Sequence, residues 1–341
     1  MHLIQVINVG QIVGGTAACA WSVTRALPDW QHSLFSLSPI TRETQAAFAP
    51  VPIHSLAGCN LSQFQAALCE TVAQIQHSHA QPVLLLHNTP ARWQLARWPC
   101  PTVVYAHSAT SLVKAHQLVF CSHWLKQQAQ LAGTVLWQGV PDPHDVPPPI
   151  GSSITPPPGS FRVGRLCTPT ARKFPEELIP LYANWAKQFP QIWWEFVGCP
   201  ALRQPALKEA CQSRITFHPA GWSARHWLCQ WDAWLYTQPR LTESFGRVLA
   251  EAMLAGTFPI CDAQGGFCEQ FPMTSEFRVE ACTKRQRGQC HSPADFSDDL
   301  HWMITEPAPC QSLRQTLQSH AGKHFSLPAF ATRLKQLLPP P

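Results

Sequence analysis

The stretch PDPHDVPPPIGSSITPPPGS, residues 141–160, most constrains how this chain can fold. Proline lacks the N–H that a helix interior or a central strand needs, so a segment this rich in Pro, Gly and Ser reads as a linker. On both sides of it, short apolar runs alternate with helical patterns, the signature of parallel sheets covered by helices. LIQVINV, HSLFSL, VPIHSL, PVLLLH, TVVYAH, QLVFCS and TVLWQG read as strands before it. FRVGRL, IWWEFVG, RITFHP, WDAWLY and TFPICD read as strands after it. The expected architecture is therefore α/β, with two Rossmann-like doubly wound domains facing a central cleft. Residues 1–140 form the first domain, 141–160 the linker and 161–325 the second domain. A closing helix over 326–341 can pack back on the first domain. Ligands of such sheets sit at the carboxyl ends of the strands.

Composition narrows the function classes. A formal charge of +5 comes from scattered Lys and Arg and not from a basic run, which argues against a nucleic-acid partner. Fourteen cysteines are spread from Cys19 to Cys310 without a CxxC pair, so packing explains them better than a metal centre or a disulfide framework. Cys282, Cys290 and His291 have loose ligand spacing but no paired second half. MHLIQVINVG reads as a strand and not as an export signal. No stretch approaches the roughly 20 apolar residues of a spanning helix. A cytoplasmic protein is expected. SLVKAHQLVFCSHWLKQQAQLA, mixing Lys, His and apolar residues, offers at most a peripheral contact with an anionic membrane.

Chemistry concentrates in TESFGRVLAEAMLAGTFPICDAQGG, residues 242–266. A helix is expected to start near Ser244 to Gly246 and to stop before Gly256. Glu243 then lies at the helix entrance and Glu251 two turns inside. The backbone N–H groups of Ser244, Phe245, Gly246 and Arg247 lack helical partners there and suit an anion. Val248, Leu249, Ala252, Met253 and Leu254 leave Glu251 little solvated surface, and a buried carboxylate is costly unless partnered. A phosphate at the helix start, with carboxylates accepting hydrogen bonds from sugar hydroxyls, describes a nucleotide-sugar site. A solvated helix face is the plainer alternative.

The segment ESFGRVLAEAMLAGTFPICDAQGGFCE resembles the core motif of the retaining GT-B glycosyltransferases of family 4, the glycosyl transferases group 1. VGRLCTPTARKFPEELIPLY resembles the donor-binding element of that family, and VLWQGVPD its domain-end motif. VGGTAACAWSVTRAL resembles its N-terminal Gly-rich loop and helix. The match covers nearly the whole chain and is strongest from Phe161 to Glu269. Gln138 stands for the usual Asn, and His116 for an Asp that leads a strand.

The resemblance implies a retaining, metal-independent transfer of a hexosyl unit from a UDP- or GDP-sugar. The acceptor would be a hydroxyl of a glycan or a lipid-linked saccharide, as in polysaccharide biosynthesis. Arg165 and Lys173 would grip the donor diphosphate, Glu243 the sugar hydroxyls and Glu251 the ribose. Ser244 and the amides of Phe245, Gly246 and Arg247 would face sugar and phosphates, with Glu269 nearby. Gly14 and Gly15 would admit the diphosphate or an acceptor head group. His107 would lie near the reacting carbon, with His87 a weaker candidate. No cofactor or metal is implied. A GT-B epimerase or phosphorylase, or a glycan-binding relative without catalysis, remains open at this point.

Overall fold

The computed structural model describes residues 1–149, 156–273, 278–279 and 282–338, so the middle of the Pro-rich linker and the last three residues lie outside it. The chain divides into two units, one of residues 1–140 with 324–341 and one of residues 141–323.

In the first unit, β1 (His2–Ile7), β2 (Gln31–Ser36), β3 (Ile53–Ser55), β4 (Pro82–His87), β5 (Thr102–Ala106), β6 (Gln117–Phe120) and β7 (Thr134–Val135) form one parallel sheet. The strand order is β3-β2-β1-β4-β5-β6-β7. Every residue of β4 is buried, as a central parallel strand requires, which is why PVLLLH is a continuous apolar run. Helices α1 (Gly15–Ala26), α2 (Arg42–Phe48), α3 (Leu61–His77) and α4 (His123–Ala129) connect the strands. Phe64, Leu68, Val72 and Ile75 recur at helical spacing on α3 and pack with Ile4, Val6, Leu84 and Leu86 of the sheet. Asn60 and Gln63 close a capping box at the start of α3.

The second sheet repeats the pattern. It is built of β8 (Phe161–Leu166), β9 (Ile192–Val197), β10 (Ile215–His218), β11 (Ala233–Tyr236), β12 (Phe258–Asp262) and a later strand, β15 (Gln289–Cys290). Its order is β10-β9-β8-β11-β12-β15, and a separate pair, β13 (Arg278–Val279) and β14 (Cys282–Gln286), lies outside it. Helices α5 (Leu178–Gln188), α6 (Gln204–Ala210), α7 (Arg247–Leu254), α8 (Pro293–Thr305) and α9 (Pro307–Phe325) follow. Tyr182, Trp185 and Trp194 meet edge to face or stacked in its core.

The last helix, α10 (Leu327–Leu337), belongs with the first unit and packs on α1. Val140 N–H donates to the Phe325 carbonyl at 2.8 Å, and a Cβ on Gly139 would stand 2.5 Å from Phe330, so the chain end is fitted closely to this unit.

Some expectations are revised. TVLWQG yields only two strand residues at the sheet edge, Thr134 and Val135. Helix α8, entered through a Ser292–Asp295 capping box with Pro293 in its first turn, and strands β13 to β15 were not expected. The Cys290 thiol is buried and lies 3.7 Å from Asp299 Oδ2, and burial pushes its pKa well up. The Cys282 side chain lies outside the described residues. Among the described residues, no helix is long and apolar enough to cross a membrane.

Gly164 in β8 carries a packing role that its motif does not reveal. A Cβ there would stand 2.0 Å from Trp231 Cδ2. Gly164→Ala is expected to lower unfolding free energy by about 1–3 kcal/mol through overpacking. Urea melts of the two proteins check this.

Candidate active site

Strands β8, β11 and β12 end side by side, and the side chains of interest in the second unit hang from those ends. After β8 the chain makes a tight turn, Ala171–Lys173. After β11 it runs through 237–246 into α7, and after β12 through the turn Gly265–Phe267.

Lys173 Nζ forms an ion pair with Glu243 Oε1, and the Tyr236 hydroxyl donates to the same oxygen at 2.5 Å. Lys173 Nζ also lies 3.4 Å from Tyr236 Oη. The Lys173 and Glu243 side chains keep 13% and 20% of their surface exposed, so the pair is shielded yet reachable. Burial, and then the Glu243 carboxylate, push the Tyr236 phenol far up, which keeps its proton in place to donate.

Arg165 is 1% exposed. Its guanidinium lies over the Tyr236 ring at 4.6 Å and donates to the carbonyls of Thr237 at 3.0 Å and Lys173 at 2.8 Å. It therefore ties the Lys173 turn to the end of β11. Gln238 Nε2 reinforces the tie through the Arg172 carbonyl at 2.8 Å. Asp262 accepts from the Thr237 hydroxyl at 2.8 Å and the Gln238 N–H at 2.5 Å, although burial pushes its own pKa up.

The Glu243 loop is clamped from the other side. Gly266 N–H donates to the Glu243 carbonyl at 2.8 Å, and a Cβ on Gly266 would stand 2.3 Å from the Ser244 carbonyl oxygen. The two loops touch backbone to backbone, which explains a glycine at this position. Gly246, the residue before α7, has φ 80°, a left-handed conformation that a side chain would strain. Phe245 is buried, Ser244 is half-buried, and Glu269 is half-buried just beyond the glycine turn.

Glu251 is 3% exposed inside α7. Arg225 Nη1 lies 3.3 Å and Arg247 Nη2 3.9 Å from its Oε1, and the Arg225 guanidinium stacks on Trp222 at 3.6 Å. The buried carboxylate thus has cationic partners, as its cost requires.

The candidates of the first unit sit at the ends of β4 and β5 and at the start of α1. Gly14 is the N-cap of α1. Apart from its chain neighbours and the backbone of its own helix, no described atom lies within 4 Å of where a Cβ on Gly15 would stand. Packing inside the unit therefore gives no reason for that glycine. His87 Nδ1 lies 3.0 Å from His107 Nε2, and Gln138 Nε2 lies 2.9 Å from His107 Nδ1. His87 is fully buried, and burial pushes its pKa down to about 3. Its Nε2 meets Gln5 Oε1 at 2.9 Å. Cys19 lies close enough that its sulfur and a nitrogen of each histidine fall within 4.8 Å of one another.

Sequence reasoning singled out Lys173, Glu243 and Glu251 but missed Tyr236, Arg225, Trp222 and Gln5. An aromatic at the end of a strand, as in WDAWLY, was the only available sign of Tyr236.

Residues 161–318 match the family described as glycosyl transferases group 1. No curated protein sequence matches the chain. Among solved structures, the chain resembles HepE of Anabaena in complex with UDP, with a TM-score of 0.71, 16% identity and 99% of each chain covered. It also resembles a glycosyltransferase from Rickettsia africae, with a TM-score of 0.72, 12% identity and 98% and 97% coverage. Sucrose-phosphate synthase from Thermosynechococcus elongatus aligns with a TM-score of 0.68, 16% identity and 99% and 98% coverage. The two sheets thus have the GT-B fold. Residues 161–318 thus carry the match to the glycosyl transferases group 1, whose members transfer a sugar from a nucleotide-sugar donor.

The His87 environment predicts a pH effect on stability. The fold keeps His87 neutral down to about 3, whereas the unfolded chain protonates it near 6.5. The unfolded state binds more protons in that window, so stability falls as pH falls through it. The His87 share is roughly 2 kcal/mol between pH 7 and pH 5. His87→Gln should lack that share, as urea melts at the two pH values will show.

Proposed function

We propose that this protein is a retaining glycosyltransferase that moves a hexosyl unit from a UDP-sugar to a hydroxyl of a glycan or lipid-linked acceptor. The observation that carries the reading is the Lys173–Glu243–Tyr236 cluster, set at adjoining strand ends inside the family-matched segment. A uridine donor is favoured over a guanosine one because structures of the same fold were solved with UDP or UDP-glucose, HepE among them. Another, a pneumococcal O-GlcNAc transferase, was solved with UDP and GlcNAc.

In this reading Lys173 binds the donor diphosphate and offsets the charge that grows there as the bond from sugar carbon to phosphate oxygen breaks. Glu243 turns from Lys173 to the sugar hydroxyls, still held by Tyr236. Arg165, engaged with two backbone carbonyls, grips the diphosphate through the placement of Lys173. The amides of Phe245, Gly246 and Arg247, with Ser244, face phosphate and sugar at the start of α7. Glu251 accepts from the ribose hydroxyls while Arg225 and Arg247 hold it, and Glu269 lies on the same edge.

Gly14 and Gly15 of the first unit give close backbone approach to phosphate or acceptor, and His107 acts beside the reacting carbon. The acceptor oxygen forms its bond on the face that the phosphate leaves, and its proton passes to the departing phosphate oxygen. A lysine supplies the needed cation, so the reaction proceeds without a metal.

Release of UDP from a panel of UDP- and GDP-sugars, with and without saccharide acceptors, tests the reading. Lys173→Ala should lower kcat/KM for the donor about 100-fold or more while the melting temperature stays within a few degrees. Full turnover of Lys173→Ala at limiting donor would overturn the assignment.

A further inference from the structure

Five side chains of the first unit join head to tail: Gln138, His107, His87, Gln5 and Thr24. Their hydrogen directions can be deduced from one end. The Thr24 hydroxyl donates to the Ala20 carbonyl at 3.1 Å, so its oxygen can only accept from Gln5 Nε2, at 2.8 Å. That fixes the Gln5 amide and turns its oxygen to His87, whose Nε2 must then carry a hydrogen. In a neutral ring His87 Nδ1 is an acceptor, so His107 Nε2 donates to it at 3.0 Å. His107 Nδ1 is then the acceptor for Gln138 Nε2 at 2.9 Å. Every link is satisfied with both imidazoles neutral.

A metal held by Cys19, His87 and His107 is the competing use of the same atoms. Geometry decides between them. The two ring planes lie within 8° and their centroids are 5.3 Å apart, while the facing nitrogens are 3.0 Å apart. The difference is about two ring radii, so ring, nitrogen, nitrogen and ring lie nearly in line. Metal ligands aim their lone pairs at a common third point, whereas these nitrogens aim at each other.

We propose that His87, backed by Gln5 and Thr24, is a positioning residue that locks His107 as the neutral Nε2–H tautomer. Resting on the transferase reading, the lock keeps a cation from forming beside the sugar carbon where positive charge develops. A free imidazole titrates near pH 6.5 and would be partly charged in a neutral cytoplasm. Here a proton on His107 Nδ1 would face the Gln138 amide hydrogens as they stand, so the pair gains charge only if that amide turns over or a link breaks. Among the described residues, the titratable groups that face the pair include Cys19 from α1 and Tyr105 from β5, whose ring centroid lies 4.5 Å from that of His107. Arg333 of α10 interacts electrostatically with Tyr105.

Imidazole 15N–1H spectra of the whole protein between pH 5 and pH 8, paired with pH profiles of kcat/KM, test the lock. Wild type should show both rings as neutral Nε2–H tautomers throughout. Gln5→Glu places a carboxylate on His87 Nε2 and should charge the pair, moving the acid limb of the profile up by about one unit or more. His87→Leu should let His107 titrate near 6.5, while His87→Gln, which keeps an acceptor, should restore the wild-type limb. Titration of His107 near 6.5 in wild type, an Nδ1–H tautomer, or an unmoved limb in Gln5→Glu would overturn the proposal. So would one equivalent of zinc retained by wild type and lost in Cys19→Ser. If wild type turned over no nucleotide sugar, the transferase reading would fall, while the spectra would still decide the lock.

Discussion

The pairing of Lys173 with Glu243 is the interaction on which the account of the second unit depends. Two opposite charges, each only partly exposed, hold each other, and in the proposed reading they part when a ligand satisfies both. A nucleotide sugar has an anionic diphosphate for the lysine and hydroxyls for the carboxylate. The surrounding contacts hold the loops that carry the two side chains. Arg165 anchors the lysine turn through backbone carbonyls, Asp262 holds the turn after β11, and Gly266 locks the Glu243 loop. A site built this way spends little on reorganisation, because only two side chains have to let go.

The first unit shows the opposite electrostatic choice. Where the second unit gathers ions, the ends of β4 and β5 line up neutral donors and acceptors around His107. Burial enforces this at His87, since no carboxylate accompanies it in the chain from Thr24 to Gln138. In the proposed reading, a charged grip for the diphosphate and an uncharged imidazole pair would suit a transition state that is anionic at one end and cationic at the other.

Much of the fold is legible because its strands are buried on both faces. PVLLLH and WDAWLY are largely apolar runs bounded by turn residues, and each is or contains a strand of one of the two sheets. TVLWQG has the same composition but lies at an edge, where neighbours on one side alone pair only Thr134 and Val135. Glu243 and Glu251 stand out in the sequence because they are charged residues in a largely apolar stretch next to turn residues, and Lys173 because it falls in a family motif. Their partners do not. Arg225 meets Glu251 across 26 positions, and Gln5 meets His87 across 82, separations that leave no periodic trace. Gln138 looks like a lost Asn when read along the chain, and only the fold shows it bonded to His107.

Titration calorimetry of UDP and of a UDP-sugar against wild type and Glu243→Gln tests the central claim most directly. If Lys173 must leave Glu243 to hold a diphosphate, removing the carboxylate's charge frees the lysine in advance. UDP should then bind Glu243→Gln at least as tightly as wild type, while the UDP-sugar, which loses its hydroxyl acceptor, should bind it more weakly. Equal losses for both ligands, or no change for either, would contradict the account.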